Sequence, residues 1–192
     1  MHYRRRGGPP GATPMRVIGL SGWSGAGKTT LIVKLIPVLI ARGFSVSTLK
    51  HAHHGFDVDK PGKDSYAHRE AGAREVLVAS ANRWALMHEL RGDEEPPLGA
   101  QLARLSAVDF VLVEGYKHDF HVKIEVHRVA NGKPLLYPED SDIKALASDG
   151  GPFPRSPPCA HLDDIEAIAT LIERLAAPID ETLARLDQNA KG

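Results

Sequence analysis

Cysteine is almost missing from this chain. Cys159 stands alone, so no internal disulfide can form, and the composition suits a reducing cytoplasm. An excess of charge of either sign is missing too. The 24 Lys and Arg residues are offset by 24 Asp and Glu, which removes the overall electrostatic case for a nucleic-acid partner. No long apolar run occurs either. The most apolar stretch, LIVKLIPVLIA at 31–41, is broken by Lys34 and Pro37 and falls well short of the ~20 residues that span a bilayer, so no membrane partner is expected. The leader MHYRRRGGPPGATP begins with basic residues but has no apolar core behind them, and so does not read as a signal peptide. Its Gly and Pro content predicts a disordered extension over residues 1–14.

What is present suits one domain of ordinary size. With 192 residues, 42% of them hydrophobic, the chain can bury a sheet beneath helices. Strand-like and helix-like segments alternate, the sequence form of a largely parallel sheet. Met15–Leu20 reads as the first strand and Thr29–Arg42 as a helix ended by Gly43 and kinked or weakened by Pro37. Ser45–Lys50 reads as a strand and Asp64–Ala71 as a short helix capped by Asp64 or Ser65. A hairpin follows over Glu75–Ala79 and Arg83–His88, then a helix over Pro97–Leu105. DFVLV at 109–113 is a buried strand, Ile143–Ala147 is another strand, and Ile165–Leu186 is a helix interrupted near Pro178. HVKIEVHR at 121–128 alternates cleanly, and Asn131-Gly132 after it supplies hairpin-turn chemistry. Those residues predict a half-buried ribbon at a sheet edge, where pairing with a second copy is open.

The stretch GLSGWSGAGKTTLIVKL at 19–35 fits the pattern G-x-x-x-x-G-K-[ST], with an apolar strand before it and a helical pattern behind it. This is a P-loop in its expected context. Glycines let the backbone curl around an anion with its N–H groups inward, and the following helix aims its N-terminus at the same point. Gly22, Gly25, Gly27, Lys28, Thr29 and Thr30 are the candidate nucleotide-binding residues. Lys28 supplies a charge for the terminal phosphates, and the Thr29 hydroxyl is suited to an accompanying Mg2+ ion. In DFVLVEG at 109–115 a buried strand ends on Glu114, at the carboxyl edge where open α/β sheets hold ligands. Glu114 is therefore expected to assist catalysis beside Lys28 and to meet the metal or its waters. These features predict an α/β fold of the P-loop NTPase type. Its largely parallel sheet is flanked by helices and extended by an antiparallel ribbon, with residues 15–192 as a single domain.

The segment KHAHHGFDVDKPGKDSYAHREAGA at 50–73 gathers His51, His53, His54 and His68 with Asp57, Asp59 and Asp64. It follows a strand and so begins at the same end of the sheet. Asp64 is the first choice for a further Mg2+ carboxylate and Asp59 the second. Two other chemistries stay open at this point. One of the three aspartates can serve as base for an acceptor hydroxyl in a small-molecule kinase, or His51, His53 and His54 can hold a transition metal in a metal-insertion GTPase.

Four motifs together, GLSGWSGAGKTTL, the segment at 50–73, VEGYK at 113–117 and ALASD at 145–149, resemble the MobB family of molybdopterin-guanine dinucleotide biosynthesis. They run in matching order from residue 15 to about 176. The resemblance implies a GTP-binding adaptor with weak GTPase activity and Mg2+ as metal. Its implied partners are the molybdenum cofactor guanylyltransferase and molybdopterin, and its implied assembly is a homodimer joined partly by sheet pairing. ALASD resembles the place where related proteins read the purine, so Asp149 is the candidate for guanine. His51, His53, His54, Lys63, His68 and Arg69 are the candidates for partner or cofactor contact.

Overall fold

The computed structural model describes residues 14–52, 56–153 and 157–189. In chain order the elements are β1 (Arg16–Ser21), α1 (Lys28–Ala41), β2 (Val46–Lys50), α2 (Asp64–Glu70), β3 (Glu75–Ala79), β4 (Trp84–His88) and α3 (Leu98–Leu102). They continue with β5 (Phe110–Glu114), β6 (Lys123–His127), β7 (Ile143–Ser148), β8 (Cys159–His161), α4 (Ile165–Leu175), β9 (Ala177–Pro178) and α5 (Ile179–Asn189). The described residues divide into two compact units, one from the segments before 52 and after 97, the other from residues 52–97. This division was not drawn from the sequence.

The first unit carries a sheet in the order β2-β5-β1-β6-β7-β8, every neighbouring pair parallel. Its central strand β1 has two neighbours on one side. β6 pairs with Gly19–Ser21, while the short β9 pairs antiparallel with Arg16 and Val17. The strands are apolar along their length because both faces are covered, and alternate residues serve opposite cores. Ile18, Leu20, Phe110 and Leu112 join Leu35, Leu39, Ile168 and Ile172 of α1 and α4 on one face. Val17, Val111 and Val113 join Leu98, Leu102 and Ile179 of α3 and α5 on the other. Arg42, just past α1, ties that helix to α4 through Glu166 and Glu173. The Asp164 side chain caps α4 by accepting from the Ala167 amide at 3.0 Å, as a helix N-terminus favours.

Helix α1 runs unbroken through Pro37, which lies on its exposed side. The carbonyl that Pro37 leaves without a donor therefore faces water rather than the core. In the second unit, β3 and β4 pair antiparallel from Glu75↔His88 to Ala79↔Trp84. This is the expected hairpin, in a sheet of its own. The cap expected from Asp64 or Ser65 is not made. Lys63 occupies the N-cap position without a side-chain bond, and the Ser65 hydroxyl donates instead to Asp59 at 2.9 Å.

The reading of residues 121–132 as an edge ribbon is corrected. β6 lies between β1 and β7, parallel to both. Asn131 ends a short 3-10 turn rather than heading a hairpin. The alternation in HVKIEVHR is real, yet its polar residues Lys123, Glu125 and His127 are as buried as its apolar ones. The stretches just before and just after β6 supply their partners. Glu125 accepts from the Leu136 and Tyr137 amides at 2.8 and 2.9 Å. Lys123 donates to the Lys117 and Asp119 carbonyls at 3.0 and 2.9 Å and reaches the Asp140 carboxylate at 2.8 Å. Alternation marks a polar face, and that face meets water or a polar interior equally well.

His121, at the entry to β6, is also buried. Its Nδ1–H donates to the Asp119 carbonyl at 3.1 Å, while Nε2 has no partner among the described residues. Burial, aided by the Lys123 charge and opposed by the Asp119 carbonyl, Asp142 and Asp140, pushes its pKa down to about 4. The unfolded chain binds this proton near the ordinary value of 6.5. The neutral ring therefore contributes its full stability above about pH 6.5 and loses it as pH falls toward about 4. The shift corresponds to about 3 kcal/mol. Denaturant unfolding of the parent and of His121→Gln across that range should diverge by this order, with the steeper loss in the parent.

Candidate functional site

The register of the parallel strands assembles the site. Leu20 of β1 and Lys50 of β2 both stand opposite Glu114 of β5, so the loop after β1 opens beside a carboxylate and a lysine. Within that loop Gly22, Gly25 and Gly27 all take positive φ, of 145°, 80° and 95°. At Gly22 an added Cβ would stand 2.3 Å from the Val126 carbonyl oxygen, so only glycine lets the loop leave β1 at this angle. Gly27 is the left-handed N-cap of α1. It makes no side-chain cap bond, and no acidic residue occupies the first turn. The first amide groups of α1 are thus left for an anion.

Lys28 folds back over the loop, donating to the Gly22 and Trp23 carbonyls at 2.8 and 3.0 Å. Burial lowers its pKa, against the pull of Glu114 and with the help of Lys117 and Lys50. The Thr29 hydroxyl donates to Glu114 Oε1 at 2.6 Å. These two oxygens are hard donors of the kind Mg2+ takes. The Lys50 ammonium lies against both of them, 3.3 Å from Thr29 Oγ1 and 3.4 Å from Glu114 Oε1. A cation already rests at this oxygen pair, and the donor set fits a metal.

The segment after β6 braces the loop. Asn131 donates to the Ser24 carbonyl at 2.9 Å, and the Arg128 guanidinium reaches within 3.4 Å of where a Gly27 Cβ would be. Asp149, at the end of β7, accepts from the Val129 amide at 2.8 Å and pairs with Arg128 at 3.4 Å. Lys50, Lys117, Arg128 and Asn131 stand in the sequence reading only as parts of strands, motifs and turns and not as site candidates, because contacts across the chain bring them to the loop. A basic residue at the end of the second strand is the one signal that pointed to any of them. Thr30 lies on the exposed side of the first turn of α1.

The remaining candidates are described by unit. His51 stays with the first: its amide donates to the Glu114 carbonyl at 2.9 Å, and its ring lies 4.9 Å from Tyr116. His53 and His54 lie outside the described residues. In the second unit Asp64 opens α2, Lys63 precedes it and His68 sits in its last turn. Arg69 there is held by its own neighbours: Asp57 at 2.9 Å, Asp59 at 3.6 Å and Glu89 at 3.0 Å. The bonds from Glu89 and Asp57 outweigh burial and raise the guanidinium pKa further. Arg69 lowers that of Asp57, behind the Asp59 amide as the main cause. Among the described residues no group of three or more His, Cys, Asp or Glu is arranged to hold a metal. No described helix is long and apolar enough to cross a membrane.

A mostly parallel sheet flanked by helices, with a glycine loop running from its central strand into α1 over Lys28, Thr29 and a facing carboxylate, defines a P-loop fold of the NTPase type. Comparison with known proteins agrees. The family model for MobB, molybdopterin guanine dinucleotide synthesis protein B, matches residues 17–149, and the chain belongs to this family. The molybdopterin-guanine dinucleotide biosynthesis adapter protein of Escherichia coli (strain K12) is 44% identical over 167 residues, which cover 84% of this chain and 94% of the relative. Its counterpart in Haemophilus influenzae is 41% identical over 157 residues, 82% of this chain and 87% of the relative. Among solved structures, a crystal structure of molybdopterin-guanine biosynthesis protein B superposes with a TM-score of 0.65 at 26% identity. The match covers 82% of this chain and 98% of that one.

Lys28 is the side chain whose loss should be felt most at such a loop. Charge-assisted contacts of about 1.5–3 kcal/mol predict that Lys28→Ala weakens nucleoside triphosphate binding about 10- to 150-fold. Calorimetric titration measures this, and an unchanged affinity would remove the assignment of the loop.

Proposed function

We propose that this chain is a GTP-binding adaptor with slow GTPase activity, acting in the cytoplasm in the making of the guanine dinucleotide form of the molybdenum cofactor. The observation that carries the reading is the bond from Thr29 to Glu114 beneath a loop whose lysine is folded over it. That arrangement suits a nucleotide with its metal. The relatives named as adapter proteins support the rest. Mg2+ would be held by Thr29 and Glu114, while Asp64 and Asp59, the further carboxylates expected from the sequence, belong to the second unit. When bound it would neutralise charge on the terminal phosphates. Lys28 holds those phosphates, Gly22, Gly25 and Gly27 keep the backbone close to them, and Thr30 extends the row of donors.

Asp149 is the residue proposed to read guanine, through the N1–H and exocyclic amine that adenine does not offer together. Competition of ATP against GTP for the parent protein tests this. GTP should win by at least about tenfold, and equal affinities would leave Asp149 with the bonds to Val129 and Arg128 alone.

A homodimer is part of the proposal. Its support moves from β6, which is internal, to the β3–β4 hairpin, where Leu77, Val78, Trp84 and Leu86 are exposed. Apolar side chains crowded on a two-stranded ribbon invite a partner surface. The adaptor's partners are the guanylyltransferase and molybdopterin, with His51, His53, His54, Lys63, His68 and Arg69 as the contact candidates. The internal ion pairs of Arg69 weigh against a direct role for that residue. Pull-down of the guanylyltransferase by the parent and by a His51, His53, His54 triple alanine variant, with and without GTP and molybdopterin, tests the mechanism. Capture should need the nucleotide and fall in the variant. Capture that ignores nucleotide, cofactor and the three histidines would overturn the adaptor reading.

A further inference from the structure

The loop between β5 and β6 brings a second lysine to the P-loop. After Glu114 the backbone turns through two left-handed residues in succession, Gly115 at φ 95° and Tyr116 at φ 49°. For glycine the conformation is free of steric cost, whereas an aromatic residue holds it only where its surroundings impose it. Those surroundings are tight. An added Cβ on Gly115 would stand 3.0 Å from His51 Cβ, and the Tyr116 ring lies 4.9 Å from that of His51. The turn is therefore pinned to the end of β2.

The next residue, Lys117, is fixed from the other direction. Its carbonyl accepts from the buried Lys123 ammonium at 3.0 Å, which also binds the Asp119 carbonyl at 2.9 Å and Asp140 at 2.8 Å. A charge in the core thus serves as anchor for the loop. The Lys117 side chain then reaches the P-loop, its Nζ 4.8 Å from the centre of the Trp23 ring. Trp23 is itself held, donating from its indole to the Pro134 carbonyl at 2.8 Å and accepting on its own carbonyl from Lys28 at 3.0 Å. One residue of the loop therefore carries Lys28 on its backbone and Lys117 on its ring. The charged groups that bear on Lys28 are one carboxylate, Glu114, and two more lysines, Lys117 and Lys50. This balance favours an anion of high charge at their meeting point.

We propose that Lys117, presented by the left-handed Gly115–Tyr116 turn, is a second phosphate-binding lysine that contacts the terminal phosphate of a nucleoside triphosphate and distinguishes it from a diphosphate. The inference rests on the nucleotide reading of the loop and deepens it. Lys117 follows Glu114, on the metal and terminal-phosphate side of such a site. Its resting contact with an aromatic face is weak beside a charge-assisted bond to phosphate, so a triphosphate draws it across. A purely structural lysine would pack on Trp23 and be indifferent to the number of phosphates.

The experiment is calorimetric titration of GTP and GDP, with Mg2+, into the parent, Lys117→Met and Lys117→Arg. The Met side chain keeps the apolar stem on Trp23 and removes the charge. Lys117→Met should lose about 10- to 100-fold in affinity for GTP and change by less than about threefold for GDP, while Lys117→Arg should restore the preference. In a Trp84→Phe background Trp23 is the sole indole, and its emission should respond to GTP in the parent but not in Lys117→Met. Equal GTP affinity in the parent and Lys117→Met, or equal losses for GTP and GDP, would overturn the inference and leave the nucleotide reading standing. A parent that binds neither nucleotide would overturn both.

Discussion

Three strands in parallel register hold the site in place. Because Leu20 and Lys50 both face Glu114 across their ladders, the carboxylate meets the Thr29 hydroxyl at the mouth of one crossover and the Lys50 ammonium at the mouth of another. A shift of one residue in either ladder would turn Glu114 to the opposite face. It would enter the core of Val111 and Val113, where an unpaired carboxylate is costly. Packing and function impose the same constraint: the alternation that sends Phe110 and Leu112 to one core and Val111 and Val113 to the other also fixes where Glu114 points.

A second demand falls on β6, which must cover β1 while carrying three polar side chains into the interior. Buried charge is tolerated when fully bonded and strongly destabilising when one partner is lost. Lys123 has two carbonyls and a carboxylate, and Glu125 has two amides, whose bonds oppose the rise in pKa that burial causes. All of these partners come from the stretches just before and after the strand. The loops at 117–119 and 134–140 thus have their shape set by ammonium and carboxylate groups in the core. The same loops border the P-loop through Lys117 and the Pro134 carbonyl. Rigidity at the mouth of the site is inherited from polar contacts beneath it.

How much of this could be read from the sequence follows from the range over which each feature is decided. Local features were legible: the glycine loop, the helix behind it, the apolar strand ending in Glu114, the hairpin at 75–88 and the break near Pro178 all follow from a few adjacent residues. Strand order is decided by contacts across the chain, so β6 was mistaken for an edge ribbon and the short β8 went unread. The caps of α2 failed for a related reason, since Ser65 found Asp59 a better partner than the backbone. Charge partners were the least legible. Arg69, offered from the sequence as a contact for partner or cofactor, is surrounded by Asp57, Asp59 and Glu89, the last of them 20 residues away.

On the proposed reading, Asp149 and Arg128 would join base choice to phosphate binding. One oxygen of the Asp149 carboxylate is fixed by the Val129 amide at 2.8 Å, while the other holds Arg128 at a looser 3.4 Å. A guanine edge needs both oxygens as acceptors, and each oxygen has a lone pair to spare beside its present donor. The Val129 bond fixes the plane of the carboxylate, so a base must come to the protein's geometry rather than the reverse. Arg128 in turn lies against Gly27, the left-handed N-cap of α1. On that reading a base that adds a second donor to this oxygen would weaken the hold on the guanidinium, whose other neighbour is the turn at Gly27. Under the proposed reading the two ends of the nucleotide are therefore sensed through one side chain. The coupling would be reciprocal, because any free energy by which the purine shifts Arg128 must equal that by which phosphate at Gly27 shifts the affinity for the purine.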